Sequence, residues 1–220
     1  MVLNAYDASA VEEALVLKEK HGGSVDLVLI GPEGARETIR KALAMGADAA
    51  HHIVRDDASD LDSNAVSEIL AEFFSGQSFD VVATGKQSQD TDAGLAGSML
   101  AERLGMPYAS NAVGLDIDGD KLVVTRQGDA GQEVLEVSTP CLVTCSNDMN
   151  NPRIPSLKGI MAAKRKPVEQ SESGAGAVLT TVSGLEPVPA REPGQTLEGE
   201  PSELASDVVN RLVNEAKVEL

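Results

Sequence analysis

One run of small and polar residues has the clearest potential for binding chemistry, because it joins an apolar strand pattern to a helical one. We call residues 85–96 the Gly85 loop; its members are Gly85, Lys86, Gln87, Ser88, Gln89, Asp90, Thr91, Asp92, Ala93, Gly94, Leu95 and Ala96. In open α/β sheets, ligands bind beyond the carboxyl ends of the strands, and free amides at a helix amino terminus attract phosphate. The run predicts either a phosphate site or a tight turn with a capping aspartate.

Several chemistries are not supported around this loop. It is not a Walker A loop, because Asp80 replaces the first glycine and Gln87 the Ser or Thr that should follow Lys86. Asp90 and Asp92 have no further carboxylates nearby in sequence for magnesium, and we interpret them as helix caps. With three histidines, two cysteines and no nucleophile elbow, we predict no catalytic residue and no metal site.

A second notable run concentrates basic residues on an acidic chain. We call residues 150–166 the basic segment, and its Leu157, Ile160 and Met161 the apolar patch. An apolar anchor surrounded by charge suits a transient partner site, because charge steers the encounter and the anchor gives a short-lived grip. The alternative is a loop whose apolar residues turn inward.

The elements that must position these runs alternate between helix and strand. Ser9 and Glu12 form a capping box, which predicts a helix from there to about residue 22. Further predicted helices cover 35–45, 60–74 and 93–104, and predicted strands cover 25–30, 52–54 and 79–84. From residue 111 the pattern changes to short alternating strands at 113–117, 122–126 and 134–137, separated by turns.

These patterns predict an α/β fold, a doubly wound and mostly parallel sheet with antiparallel additions. Cys141 and Cys145 fall in an apolar run that predicts a buried strand, with the two thiols about 13 Å apart and therefore reduced. Such units normally begin with a strand, whereas this chain opens on a helix. We therefore expect an amino terminus shortened by one strand.

The carboxyl-terminal part differs in composition. Beyond Glu169 the chain is rich in Gly, Ser, Pro and Glu, which predicts an arm, and residues 201–217 recover helical spacing at Leu204, Val208 and Leu212. The helix either docks on a neighbouring surface or folds back on its own domain. We divide the chain into a domain at 1–168 and an arm with a terminal helix at 169–220.

The net charge of -17 over 220 residues disfavours nucleic acid and anionic membranes as partners, because like charges repel. No run approaches the roughly 20 apolar residues that span a bilayer, and no signal peptide follows Met1. We expect a cytoplasmic or matrix-like protein without direct membrane insertion.

Three segments, in order along the chain, resemble the beta subunit of electron-transfer flavoproteins. They run from Asn4 to Leu15, from Arg36 to Asp48 and from Asn151 to Lys166. The Gly85 loop falls in the expected place between them, so the resemblance covers residues 3–168.

The resemblance implies a heterodimer whose alpha subunit holds most of a redox-active FAD while the beta subunit binds AMP. It implies nucleotide contacts from Asn4, Ala5, Tyr6, Asp7, Ile30 and the whole Gly85 loop. Leu157 would anchor in a pocket on an acyl-CoA or other dehydrogenase, and electrons would pass onward to a membrane quinone reductase. The chain is thus expected to be an electron-carrier subunit, as in fatty acid oxidation, and not an enzyme.

The chain also departs from the family pattern. Gly94, Leu95 and Ala96 replace the Asn-Gln-Thr of many members, so phosphate would be held by backbone amides and AMP could bind more weakly or be replaced. Ala162 replaces a lysine of some members, which reduces the basic patch. Two alternatives remain open: a bifurcating version with a second FAD in the nucleotide site, and a stand-alone adenine-nucleotide-binding protein of the universal-stress type.

Overall fold

The structure is a computed structural model that describes residues 2–191 and 193–218. The helices are α1 (Ala5–His21), α2 (Arg36–Met45), α3 (Ser63–Phe74), α4 (Ala96–Leu104), α5 (Leu157–Ala163) and α6 (Pro201–Asn214). The strands are β1 (Asp26–Gly31), β2 (Ala49–Val54), β3 (Val81–Gly85), β4 (Tyr108–Asp118), β5 (Lys121–Gly128), β6 (Gly131–Ser138), β7 (Cys141–Cys145) and β8 (Val168–Glu172). The chain forms two compact units, one ending at Thr181 and the other beginning at Val182.

The strands form two sheets. The three-stranded sheet has the order β1-β2-β8 and is parallel throughout. The five-stranded sheet has the order β3-β7-β4-β5-β6, in which β7 runs parallel to both neighbours and β5 runs antiparallel to both of its own. The predicted α/β class, with parallel strands and antiparallel additions, is confirmed. The expected single sheet is instead divided, because β1 and β3 are each an edge strand of a different sheet.

Helix α1 packs on both sheets. Its Ala10 and Leu17 belong to the core of the five-stranded sheet, while Leu15 belongs to the core against α2 and the three-stranded sheet. The predicted start at a Ser9 capping box is wrong, since the helix begins at Ala5 after Asn4. Ser9 is buried within the helix, and the Glu12 carboxylate that should cap it binds Arg153 instead.

Strand β7 lies between β3 and β4 in the larger sheet. All five of its residues are buried, and Cys141 and Cys145 are free thiols, as predicted. Burial raises the pKa of both thiols. A thiol held in the protonated form is a poor nucleophile, so both cysteines are structural.

The smaller sheet includes residues from beyond the predicted domain boundary. The boundary at residue 168 falls at the start of β8, and the chain that follows β8 runs beside α3, where the Ala177 amide donates to Glu68. The Asp62 carboxylate caps α3 by accepting from Ala65 N, and it also accepts from the amides of Leu179 and Thr180. The hydrogen bond from the Ala65 amide, together with those from the Leu179 and Thr180 amides, lowers the pKa of the Asp62 carboxyl to about 2. The beginning of the arm is thus held by charged hydrogen bonds.

The second unit contains α6. Four of its valine and leucine side chains, each 40–46% exposed, occupy adjacent rows of the helix: Val208, Val209, Leu212 and Val213. Within the described residues, no helix is long and apolar enough to cross a bilayer.

Candidate functional site

The amino-terminal end of α1 and the carboxyl end of β3 meet, as the site prediction requires. The Gly85 amide donates to Asp7 Oδ1 over 2.7 Å, and Asn4 Nδ2 donates to the Gln87 carbonyl over 2.9 Å. Asn4 also donates to Asp7 Oδ2 over 2.8 Å, which orients both side chains. Residues 4–7 and the Gly85 loop, 78 or more positions apart in sequence, therefore form one cluster.

Gly85 makes this close approach possible. A Cβ atom at Gly85 would lie 2.8 Å from Asp7 N, from Asp7 Oδ1 and from Tyr6 Cβ. Such distances are well inside van der Waals contact. Only glycine lets β3 come this near to the first turn of α1.

The Gly85 loop is closed by its own hydrogen bonds. Ser88 N donates to the Ala93 carbonyl over 3.0 Å, and Ser88 Oγ lies 2.7 Å from Thr91 Oγ1. Gln87 Nε2 donates to Asp92 Oδ1 over 2.7 Å, and Asp92 adopts a left-handed backbone with φ of 54°. The loop is therefore an ordered turn.

The interpretation of Asp90 and Asp92 as helix caps is wrong. Helix α4 begins at Ala96 after Leu95, and no side chain from the described part of the protein caps it. Asp92 binds Gln87 within the loop. The first amides of α4 thus lack a side-chain acceptor, which is the arrangement that suits an anion.

Two buried polar atoms beside this cluster have no hydrogen-bond partner among the described residues. They are Asn4 Oδ1, next to Gln87, and Thr84 Oγ1, one residue before Gly85. Buried acceptors are rarely left unpaired in proteins. A ligand that carries hydrogen-bond donors, such as an adenine amino group or a ribose hydroxyl, fits this position.

Ile30 is not joined to the cluster by strand pairing. It lies near the carboxyl end of β1, in the three-stranded sheet, whereas the Gly85 loop follows β3 in the other sheet. Its contribution to the site stays a prediction.

The basic segment forms a turn and helix α5 with its apolar patch outward. Leu157 is 76% exposed, Met161 61% and Ile160 45%, so the alternative of an inward-facing loop is not what the structure contains. Ser156 caps α5 by accepting from Gly159 N over 3.1 Å. A shallow groove beside the patch is also lined by the cations of Lys158 and Arg165.

Sequence reasoning missed the contacts that hold the basic segment in place. Arg40 Nη1 donates to the carbonyls of Ala163 and Lys166, while Lys166 Nζ donates to the carbonyls of Leu43 and Ala47 near the end of α2. On the other side, Glu12 of α1 binds Arg153. A charged residue on the buried side of a predicted helix indicates a partner elsewhere in the chain, and Glu12 was such a signal.

Comparison with known proteins confirms the family resemblance found in the sequence. The family model described as the electron transfer flavoprotein domain matches residues 1–175. The beta subunit of the electron transfer flavoprotein of Bacillus subtilis is 38% identical, over 99% of this chain and 88% of that protein. The corresponding subunit of Syntrophomonas wolfei is 36% identical, over 100% of this chain and 87% of that protein. The CarD subunit of the caffeyl-CoA reductase-Etf complex of Acetobacterium woodii is 35% identical, over 96% of this chain and 85% of that protein. The chain belongs to the family of electron transfer flavoprotein beta subunits.

Proposed function

We propose that the chain pairs with an alpha subunit that carries FAD, and that it binds AMP as a structural nucleotide. In this function the heterodimer accepts electrons from acyl-CoA or other dehydrogenases and passes them to a quinone reductase. The FAD supplies the redox chemistry, and this chain supplies the scaffold, the nucleotide site and the docking surface. We place the protein in the cytoplasm and regard it as a carrier without an enzymatic reaction of its own.

The observation that carries the nucleotide proposal is the joining of Asn4 and Asp7 to the Gly85 loop beside the unpaired Asn4 Oδ1. In the proposal, backbone amides of the loop and of the first turn of α4 hold the phosphate, since that turn has no side-chain cap. Lys86 adds a positive charge at the start of the loop. The Asn4 amide oxygen accepts from the adenosine part.

The nucleotide is identified by extraction from the purified heterodimer. We expect one AMP and one FAD per heterodimer when the protein is denatured and the released nucleotides are separated and weighed by mass spectrometry. Two FAD molecules and no AMP would contradict AMP binding and establish the bifurcating arrangement. A chain that purifies alone as a stable homodimer with bound adenine nucleotide would instead establish the stand-alone alternative.

We also propose that the arm and α6 pack on the alpha subunit. The apolar rows of α6 are 40–46% exposed, and Val182, Leu185 and Val188 of the arm are at least 79% exposed. Exposed apolar side chains in this number are typical of surfaces that a partner covers. The proposed arm begins after residue 168, and the hydrogen bonds of Asp62 hold its first part beside α3.

The apolar patch is the proposed docking surface for the dehydrogenase. Its exposed leucine, isoleucine and methionine, with Lys158 and Arg165 beside them, combine an anchor with positive charge. The relative from Acetobacterium is, by its name, a subunit of a reductase-Etf complex, which supports a partner that acts on a CoA thioester.

Replacing Leu157 with alanine is expected to slow electron transfer from the dehydrogenase about tenfold in kcat/KM, because truncating an anchor costs about 1–2 kcal/mol. The measurement is steady-state reduction of the purified heterodimer by its dehydrogenase. FAD and AMP content should not change, since the side chain is 76% exposed.

The matched control for this variant is Val134→Ala, an aliphatic side chain on β6 that is 68% exposed. It should transfer electrons at the unaltered rate. Equal rates for the Leu157 variant and the unaltered heterodimer would remove the docking assignment.

A further inference from the structure

Arg153 lies three residues before the Ser156 cap of α5 and binds two carboxylates of α1. Its Nε donates to Glu12 Oε2 and its Nη2 to Glu12 Oε1, both over 2.9 Å, in the two-bond arrangement that guanidinium and carboxylate favour. Its Nη1 donates to Glu19 Oε1 over 2.5 Å. The Arg153 amide also donates to Glu12 Oε2 over 2.9 Å, so the backbone itself is fixed.

The two carboxylates are seven residues apart, which places them two turns apart on one face of α1. Glu12 is nearly buried, with 8% of the residue exposed. Burial raises the pKa of the Glu12 carboxyl, but the hydrogen bonds and charge of Arg153 outweigh it and leave that pKa below its usual value. The buried carboxylate is therefore charged, and Arg153 is the cation that balances it.

The far end of the basic segment is held separately. Arg40 of α2 binds the carbonyls of Ala163 and Lys166, and Gly159 lies so close to the Ala44 carbonyl that a Cβ atom there would be 2.5 Å from it. These contacts fix the last turn of α5 and its middle. Leu157, at the first turn, follows the segment that Arg153 attaches to α1.

A neighbouring contact strengthens this second attachment. Asn150 Nδ2 donates to the Ser9 carbonyl and to Glu13 Oε2, each over 3.0 Å. Residues 150 and 153 are thus both bound to α1. Three residues of irregular structure separate Arg153 from Leu157. Leu157 therefore lies only four residues after the point of attachment to α1.

We infer that Arg153 is a positioning residue that, through Glu12 and Glu19, holds the apolar patch in the orientation a redox partner binds. This inference rests on the proposed docking role of the patch. A patch that is already ordered loses little conformational freedom on binding, so the partner binds more tightly and the chemistry of transfer is untouched. A lysine would retain the charge at this position but not the planar fork that meets two carboxylates.

The test compares Arg153→Lys with the unaltered heterodimer in two measurements. In reduction by the dehydrogenase, KM for the flavoprotein should rise about three- to tenfold with little change in kcat. One or two side chains of the patch would be disordered in the free variant, and binding would have to order them. In hydrogen exchange, the amides of residues 154–161, of which Pro155 has none, should exchange faster. Glu19→Gln, which leaves the Glu12 contacts intact, should change both measurements in the same direction by a smaller factor.

The control is Lys20→Gln, on the same helix. Lys20 pairs with Asp116 of β4 and not with the basic segment. It should leave KM and the exchange of amides 154–161 unchanged. A similar change in this control would attribute the effect to general loss of charge on α1 and overturn the inference.

The double variant separates positioning from stability. If Arg153 acts through the patch, Arg153→Lys adds little to KM once Leu157 is alanine, whereas a general structural role gives multiplicative effects. Multiplicative effects, or unchanged exchange of amides 154–161, would overturn the inference. If Leu157→Ala alone leaves transfer unaltered, the proposed docking role is lost and the partner-binding part of the inference with it, while faster exchange in Arg153→Lys still shows that Arg153 orders the patch.

Discussion

Replacing Gly85 with alanine is expected to empty the nucleotide site. The added Cβ would lie 2.8 Å from Asp7 N, Asp7 Oδ1 and Tyr6 Cβ. Backbone atoms cannot rotate away, so the first turn of α1 must move and the hydrogen bonds of Asp7 and Asn4 to the loop are lost. Overpacking of this kind costs about 1–3 kcal/mol, which corresponds to a fall in Tm of roughly 5 °C for a protein of this size.

The measurement for Gly85→Ala is AMP released per purified heterodimer, with Tm recorded in parallel. The matched control is Gly174→Ala, which lies outside the Gly85 loop and where the added Cβ would meet no atom within 4 Å. The control should retain AMP and Tm. If the Gly85 variant retains AMP as the control does, the site does not depend on the joining of α1 to β3.

Replacing Gly159 with alanine is expected to have the largest effect on electron transfer. Its Cβ would lie 2.5 Å from the Ala44 carbonyl oxygen, which is backbone and belongs to the last turn of α2. Helix α5 must move away from α2, at a cost of about 1–3 kcal/mol, and the patch moves with it. We expect kcat/KM with the dehydrogenase to fall by at least about tenfold.

FAD and AMP content should be unchanged in the Gly159 variant, because the contacts at the nucleotide loop are not involved. The control is Gly34→Ala, where the added Cβ meets no atom within 4 Å. Its rate of transfer should equal that of the unaltered heterodimer. An unaltered rate in Gly159→Ala would show that partner binding tolerates displacement of α5, against the docking proposal.

Local sequence pattern was sufficient to predict most helices and strands. It was insufficient where a contact with a residue far away in the sequence decides the structure. The buried strand at Cys141–Cys145 and the hairpins after residue 111 follow from apolar runs and turn residues, and the structure contains them. The start of α1 did not follow, because Glu12 has its partner 141 positions later in Arg153. A capping box is a local pattern, and it carries no information about an arginine that binds the buried Glu12 from 141 positions away.

The division into two sheets has a similar origin. Alternation of strands and helices predicts which segments are strands, but strand order depends on pairing partners far apart in sequence, such as β2 with β8. The resemblance to a family supplied the members of the proposed nucleotide site, and the structure joins Asn4 and Asp7 to Gly85 and Gln87. The Asp92 interaction could not be predicted, because it depends on a left-handed turn within the loop.

Helix α5 separates the residues that hold it from the residues that it displays. Gly159 and Ala163 pack against α2, while Leu157, Ile160 and Met161 carry little of that packing. Mutations of these exposed residues therefore lower the free energy of unfolding only slightly, and natural variation can change them one at a time. Under the proposed docking role, a duplicated gene can acquire a new redox partner by such point changes, so descendants of one scaffold can serve different metabolic reactions without refolding.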